Sequence, residues 1–335
     1  MRVLVTGSEG SLMQWTIDHL LNAGHDVLGV DNHARYEEYD HTRVVDPERY
    51  AFEAADLTDP DRTRDLLERC DAVINAAALI YGVKGFHEYP ADILSNDLMV
   101  HRNVLEGAKE TDVDRVAYVS SSMVYEQDTP PHREGDVWTS TVPSTDYGLS
   151  KVTGERFSQA FARQYDVEYT VWRPFNIITP FERSEDEPGM SHVFADFIRK
   201  ILIENQNPMA IFGDGEQTRC FTWIDEVAEA IATHSFSEVT RNEAYNLANP
   251  EPVTMKELAR RIHRHGIDAG LIPDEEELTF EHVSTYDDDV KQRVPIVEKA
   301  RADLGWDPQI TLDESLPRCI ENLDRMYELQ PDADD

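Results

Sequence analysis

The chain holds few cysteines, few lysines and no long apolar run, and each shortage excludes something. Three cysteines in 335 residues, Cys70, Cys220 and Cys319, stand far apart. They form no CxxC pair and no Cys/His spacing suited to zinc, so no metal and a reducing, cytoplasmic setting are expected. No window approaches the ~18 consecutive apolar residues that mark a membrane helix, so no membrane partner is expected. The opening MRVLVTGSEG reads as an apolar strand running into a glycine turn, not as a cleavable signal. Against 66 acids stand 31 bases, 7 lysines and 24 arginines, for a net charge of −35. Such a polyanion repels phosphates, so no nucleic-acid partner is expected. The acids spread along the whole chain apart from the short acidic end at 331–335. Abundant carboxylate with little lysine points to a salt-adapted, halophilic protein. Near 1 M salt the Debye length falls to about 3 Å and self-repulsion is screened.

What is present is a regular alternation of two periodicities, with 40% hydrophobic residues, enough for a buried core. Short apolar runs at 2–6, 26–30, 51–55, 72–75, 115–119 and 169–172 read as strands. Between them, 11–23, a segment opened by Asp59-Pro60, 92–110 and 148–165 carry helical spacing. Strands alternating with helices of this length predict a parallel sheet covered on both faces. After Arg173-Pro174 the alternation becomes irregular, and 222–235 and 244–248 read as pieces returning to the sheet. The remainder, including the acidic loop 273–289, predicts a smaller lobe. The expected division is 1–173 plus 220–248 for one domain and 174–219 plus 249–335 for the other.

Thr6-Gly7-Ser8-Glu9-Gly10 falls where the first strand meets the first helix. Glycines there let the backbone approach a pyrophosphate, and the helix start offers free N–H groups. Asp31 closes the second strand, 24 residues after Gly7. Its carboxylate can accept ribose hydroxyls and would repel a 2′-phosphate, which selects NAD over NADP. Met13 stands where a third glycine would let helix and strand pack closely, so either the helix is displaced or its neighbours adapt.

Tyr147-Gly148-Leu149-Ser150-Lys151 puts a phenol and an ammonium on one face of a helix. A free tyrosine, with a pKa near ~10, is a poor base at neutral pH. A lysine cation and an oxidised nicotinamide favour its phenolate. Ser120-Ser121-Ser122 supplies hydroxyls at the sheet's carboxyl edge, where open α/β sheets bind ligands.

With these residues in place, the chain resembles the extended short-chain dehydrogenase/reductases, specifically their NAD-dependent nucleotide-sugar epimerases and dehydratases. The resemblance runs from residue 1 to about 325. It is carried by VLVTGSEG, VDN at 30–32, Asp56-Leu57, NAAA at 75–78, SSSMVY at 120–125 and YGLSK at 147–151. RPFNI at 173–177, GDGEQTRCF at 213–221 and DVKQRVPIVEKARADLGW at 289–306 complete it. It implies a Rossmann-type, doubly wound parallel sheet with a smaller mixed α/β lobe for a nucleotide-diphosphate sugar. It implies Tyr147 as general base, Lys151 on the nicotinamide ribose and Ser121 on the reacting sugar oxygen, with Ser122 as fallback. Gly7, Gly10, Asp31, Asn32, Asp56, Leu57, Ala76, Ala77 and Pro174 would line the cofactor. Asn176 and Arg219 would hold the diphosphate, with Arg293 a third candidate. Members pair as homodimers through the helices corresponding to 92–110 and 148–165.

The reaction is narrowed by departures from the subfamilies. The 4,6-dehydratases carry Asp-Glu where Ser122 and Met123 stand. The decarboxylases place a glutamate at the same site, whereas Glu126 lies beyond Tyr125 and is expected to point elsewhere. Tyr89–Leu94 and Ser191-His192-Val193 resemble the GDP-fucose synthases, which puts His192 where their proton donor sits. Their companion cysteine corresponds to Met123, which carries no proton. What remains is C4 epimerisation through a transient 4-keto sugar. The alternatives are a dehydratase, decarboxylase or reductase on a similar substrate and, in another class, a non-catalytic dinucleotide sensor.

Overall fold

Apolar residues on alternate faces of the inner strands place the core on both sides of one sheet. The computed structural model describes residues 1–34, 48–126, 129–182, 184, 190–273, 275–284 and 290–323. The acidic end 331–335 and residues 274 and 285–289 of the acidic loop lie outside them. The central strands are β1 (Arg2–Thr6), β2 (Asp26–Asp31), β3 (Tyr50–Ala54), β4 (Ala72–Asn75), β5 (Arg115–Val119) and β6 (Glu168–Pro174), with Glu243–Leu247 as the seventh. All pair in parallel, in the order 243–247, β6, β5, β4, β1, β2, β3. This is a doubly wound, Rossmann-type sheet. β1 pairs β2 on one side and β4 on the other, so its carboxyl end opens the crevice where such sheets bind ligands.

Val3 and Val5 turn to one face, against α1 (Ser11–Asn22) and the helix Ile224–His234. Leu4 turns to the other, against α2 (Pro60–Leu67) and α4 (Pro90–Glu110), which follows the short α3 (Val83–Glu88). Each of these fully buried aliphatic side chains contributes ~1.5–3 kcal/mol relative to exposure. Met13 is buried in the first of these clusters with Val3, Ile17 and Ile74, so apolar packing fills the place of the third glycine.

Several boundaries differ from the sequence reading. α5 spans Asp146–Tyr165 and starts two residues early, because the Thr145 hydroxyl caps it by accepting from the Gly148 amide at 3.0 Å. α4 likewise begins at Pro90, a residue suited to a first helical turn. Residues 222–235 do not join the sheet as one piece. Thr222–Trp223 pairs with Ile177–Ile178, and the helix that follows covers α1.

The smaller lobe has its own core of Phe194, Ile198, Met209, Ile211, Trp223, Leu258, Ile262 and Leu316. Strand Met209–Phe212 pairs in parallel with Phe280–Val283, and Thr218–Cys220 antiparallel with Pro252–Thr254. Helices Met255–Asp268 and Leu312–Ile320 complete this mixed α/β layer. No helix among the described residues is long and apolar enough to cross a membrane. Cys70, Cys220 and Cys319 are all free and buried.

Candidate active site

The turn after β1 is set by hydrogen bonds that reach from β1 to β4 and on to α5. The Thr6 hydroxyl donates to Asn75 Oδ1 at 2.7 Å and accepts the amides of Ala76 and Ala77 at 3.1 Å each. Asn75 Nδ2 meets His101 Nδ1 at 2.8 Å, and His101 Nε2 faces the Gly154 carbonyl of α5 at 2.9 Å. Burial pushes the His101 pKa down to about 3, so the ring stays neutral: Nε2–H donates to Gly154 and Nδ1 accepts from Asn75. The ends of β1 and β4 are thereby tied to α5.

Gly7 has φ +67°, and a Cβ there would lie 3.0 Å from the Ala77 Cα and amide nitrogen. Only glycine fits, and the backbone is left open to a cavity of about 400 Å³. Asp31, at the end of β2, accepts the amides of Glu9 at 3.1 Å and His33 at 2.8 Å, which fixes its carboxylate at the cavity wall. Asn32, Asp56, Leu57, Ala76, Ala77 and Gly10 line the same end. A narrow glycine turn at a helix start, a fixed carboxylate and small residues along β4 fit a dinucleotide with a free ribose diol.

Tyr147 and Lys151 sit deeper. The Tyr147 ring stacks on Phe86, with centroids 4.7 Å apart and planes within 7°. Lys151 Nζ lies 5.4 Å from the Tyr147 centroid and donates to the Val119 carbonyl at 3.3 Å. Burial and, next, the Asp97 carboxylate push the phenol well above its usual range. A hydrogen bond from Ser121 and the charge of Arg293 act the other way. Burial lowers the Lys151 pKa, while Asp97 and Glu155 oppose that fall. Ser121 itself accepts the Met123 amide at 3.2 Å, so it begins the turn 122–125 with its hydroxyl held in the cavity.

The remaining candidates line the same cavity, among them Pro174 at the end of β6. Asn176, at φ +24°, donates to the Cys220 carbonyl at 3.2 Å. Arg219 donates to Val290 O at 2.7 Å, and Arg293 reaches Ser122 Oγ at 3.4 Å. His192 stands at the start of the helix Val193–Ile198 without a side-chain cap, and it also lines the cavity, with Nδ1 2.7 Å from Glu182.

Glu126 corrects the sequence reading. It does not point elsewhere: it is buried in the cavity wall, accepting Thr145 Oγ1 at 2.7 Å, the Thr145 amide at 2.9 Å and Ser144 Oγ at 3.3 Å. The short helical turn 122–125 carries the chain round so that residue 126 faces back. Asp97 was also missed. It accepts the Leu79 amide at 3.0 Å and Ser150 Oγ at 3.2 Å, joining the loop after β4 to α5. Neither role is signalled in the sequence, because the groups these acids meet lie 18 to 53 residues away.

The model of the NAD dependent epimerase/dehydratase family matches residues 3–248, and the chain belongs to that family. It is 30% identical over 328 residues to a UDP-glucuronate 4-epimerase of Thermodesulfobacterium geofontis, covering 95% of this chain and 94% of that protein. It is 27% identical to UDP-glucuronic acid decarboxylase 1 of Arabidopsis thaliana, over 96% of this chain and 70% of that one. A Bacillus cereus UDP-glucuronic acid 4-epimerase, solved with UDP-glucuronic acid and NAD, shares the fold at a TM-score of 0.83 and 22% identity, covering 98% of this chain and 100% of that one. The family acts as epimerases, decarboxylases and dehydratases of nucleotide sugars, and its cofactor is NAD.

The Asp31 carboxylate gives a direct expectation. Beside a dinucleotide ribose, where an acid that closes the second strand of such a sheet lies, it would face a 2′-phosphate, so NAD should bind the apoprotein far more tightly than NADP. Calorimetric titration with both dinucleotides checks this, and equal or tighter binding of NADP would refute it.

Proposed function

We propose that the chain is an NAD-dependent nucleotide-sugar 4-epimerase working through a transient 4-keto sugar. The observation that carries this reading is the joining of Ser121, Tyr147 and Lys151 to the Gly7–Asp31 end of one cavity. NAD would rest on 1–173 plus 220–248, with the nucleotide-diphosphate sugar against 174–219 plus 249–335. Asn176 and Arg219 would hold the diphosphate. Bound here, NAD supplies the hydride acceptor and donor and, when oxidised, a positive charge that favours the phenolate. Ser121 hydrogen-bonds the 4-oxygen of the sugar and orients it toward Tyr147. The Tyr147 oxygen takes the hydroxyl proton as the C4 hydrogen leaves, then returns it after the keto sugar has turned its other face. Lys151, anchored by Val119, keeps a cation beside the phenol and would reach the nicotinamide ribose. Met123 packs with Phe86, Ile93 and Tyr147, so no acid stands where elimination would need one.

Glu126 is the observation that favours dehydration or decarboxylation. Its oxygens, however, are engaged by Ser144 and Thr145, and it serves the cap of α5. NMR of products from UDP-, GDP-, dTDP- and CDP-sugars tests the reading. A C4 epimer supports it; a dehydrated, decarboxylated or reduced product refutes it. No turnover of any sugar by NAD-loaded protein would leave a dinucleotide sensor.

We further propose a salt-adapted homodimer joined through α4 and α5, which pack on each other. Met99 of α4 and Tyr165 of α5 are 46% and 44% exposed, apolar surface that a second copy would cover. Removing salt lengthens the Debye length to ~30 Å at 0.01 M, so surface carboxylates repel across the whole molecule. The melting temperature should rise from tenths of molar toward molar KCl, with light scattering reporting a dimer at high salt. A flat or falling melting temperature, or a stable monomer in high salt, would refute the corresponding part.

A further inference from the structure

Two arginines enter the cavity from the same stretch of wall, and their spacing separates their tasks. Residues 290–296 run extended between Thr218–Cys220 and the loop at His132. The Lys291 carbonyl accepts from Thr218 and the Val294 carbonyl from His132, each at 2.8 Å. Arg219 is tied to this segment at Val290. Arg293 lies three residues further along, roughly 10 Å at about 3.3 Å per residue, beside Ser122 in the serine turn. Its charge also reaches the Tyr147 phenol. Arg219 therefore serves one end of a bound nucleotide sugar, and Arg293 the end where the chemistry occurs.

We propose that Arg293, with Ser122, receives a carboxylate carried by the sugar, so that the substrate is a nucleotide uronic acid and not a neutral hexose. This rests on the reading above, which puts C4 at Ser121 and Tyr147. In a hexuronic acid the carboxylate carbon is two bonds from C4, which brings it to the neighbour of Ser121. A planar guanidinium in a dry site pairs with a carboxylate through two parallel hydrogen bonds, whereas a hydroxymethyl group returns one neutral bond. Of the residues that line the same cavity, Glu126 is engaged by Ser144 and Thr145, and Met123 presents thioether and methyl groups.

Binding of UDP, UDP-glucose and UDP-glucuronate to the NAD-loaded enzyme, before and after Arg293→Gln, tests the assignment. The native enzyme should hold UDP-glucuronate more tightly than UDP-glucose. Arg293→Gln should weaken UDP-glucuronate about 10–100-fold and leave UDP and UDP-glucose unchanged. Arg293→Lys, which keeps the charge but not the fork, should recover part of the loss and shows that the site still folds. An equal loss for all three ligands would make Arg293 a diphosphate ligand and overturn the proposal, as would unchanged UDP-glucuronate binding or a native preference for UDP-glucose. Selective binding of UDP-glucuronate with release of a product other than its C4 epimer would uphold the Arg293 assignment and remove the 4-epimerase reading instead.

Discussion

Tyr147→Phe is expected to lower kcat by ~10²–10⁴-fold while leaving the binding of NAD and nucleotide sugar unchanged. The ring keeps its stack on Phe86, and only the oxygen that exchanges the proton is lost. The Gly7 turn and the arginines are untouched, so a fall confined to kcat is the signature of a group needed at the proton-transfer step. Steady-state kinetics with calorimetry separate the two quantities. Near-native kcat would remove Tyr147 from the mechanism. Failure to bind sugar would make it a positioning residue.

The second large effect concerns stability. Arg173, wholly buried on β6, reaches Glu155 of α5 through two bonds, Nε to Oε1 at 2.8 Å and a terminal nitrogen to Oε2 at 2.6 Å. Its remaining nitrogen donates to Tyr125 Oη at 2.6 Å and Glu134 O at 2.8 Å, and Ser120 donates to Glu155 at 2.6 Å. Tyr125 in turn donates to Asn246 at 2.8 Å, carrying the network to the edge strand. Arg173→Met would strand the Glu155 carboxylate in a site with 1% side-chain exposure, at a cost of ~3–5 kcal/mol. The melting temperature should fall by about 4–7 °C. Adding Glu155→Leu should recover much of it, because two apolar residues remove the stranded charge. A loss below ~1 kcal/mol would mean the pair behaves as though solvated.

Much of this was legible in the sequence for a definite reason. Gly7, Asp31, Ser121, Tyr147 and Lys151 lie at strand ends or helix starts, where local pattern fixes their place in the chain. The alternation of strands and helices then limits the ways those ends can meet. Glu126 and Asp97 were not legible, because their partners Thr145, Ser150 and Leu79 lie 18 to 53 residues away in sequence. His101 reads as an ordinary polar helix residue until it is seen between Asn75 and Gly154. Arg293 needed more still. Its separation from Arg219 depends on residues 290–296 lying against Thr218, a pairing that no periodicity announces.

The order in which the chain closes has a consequence for its synthesis. β1, made first, ends in the middle of the sheet, but α1 packs against Ile224–His234, and the side of β6 away from β5 pairs with Glu243–Leu247. At roughly 5–20 residues per second, a ribosome delivers those segments tens of seconds after α1 emerges. Throughout that interval Ile17 and Leu20, and the open edge of β6 once it is made, face the surroundings. The nascent chain is therefore most exposed to wrong pairing just before the last strand of its central sheet arrives.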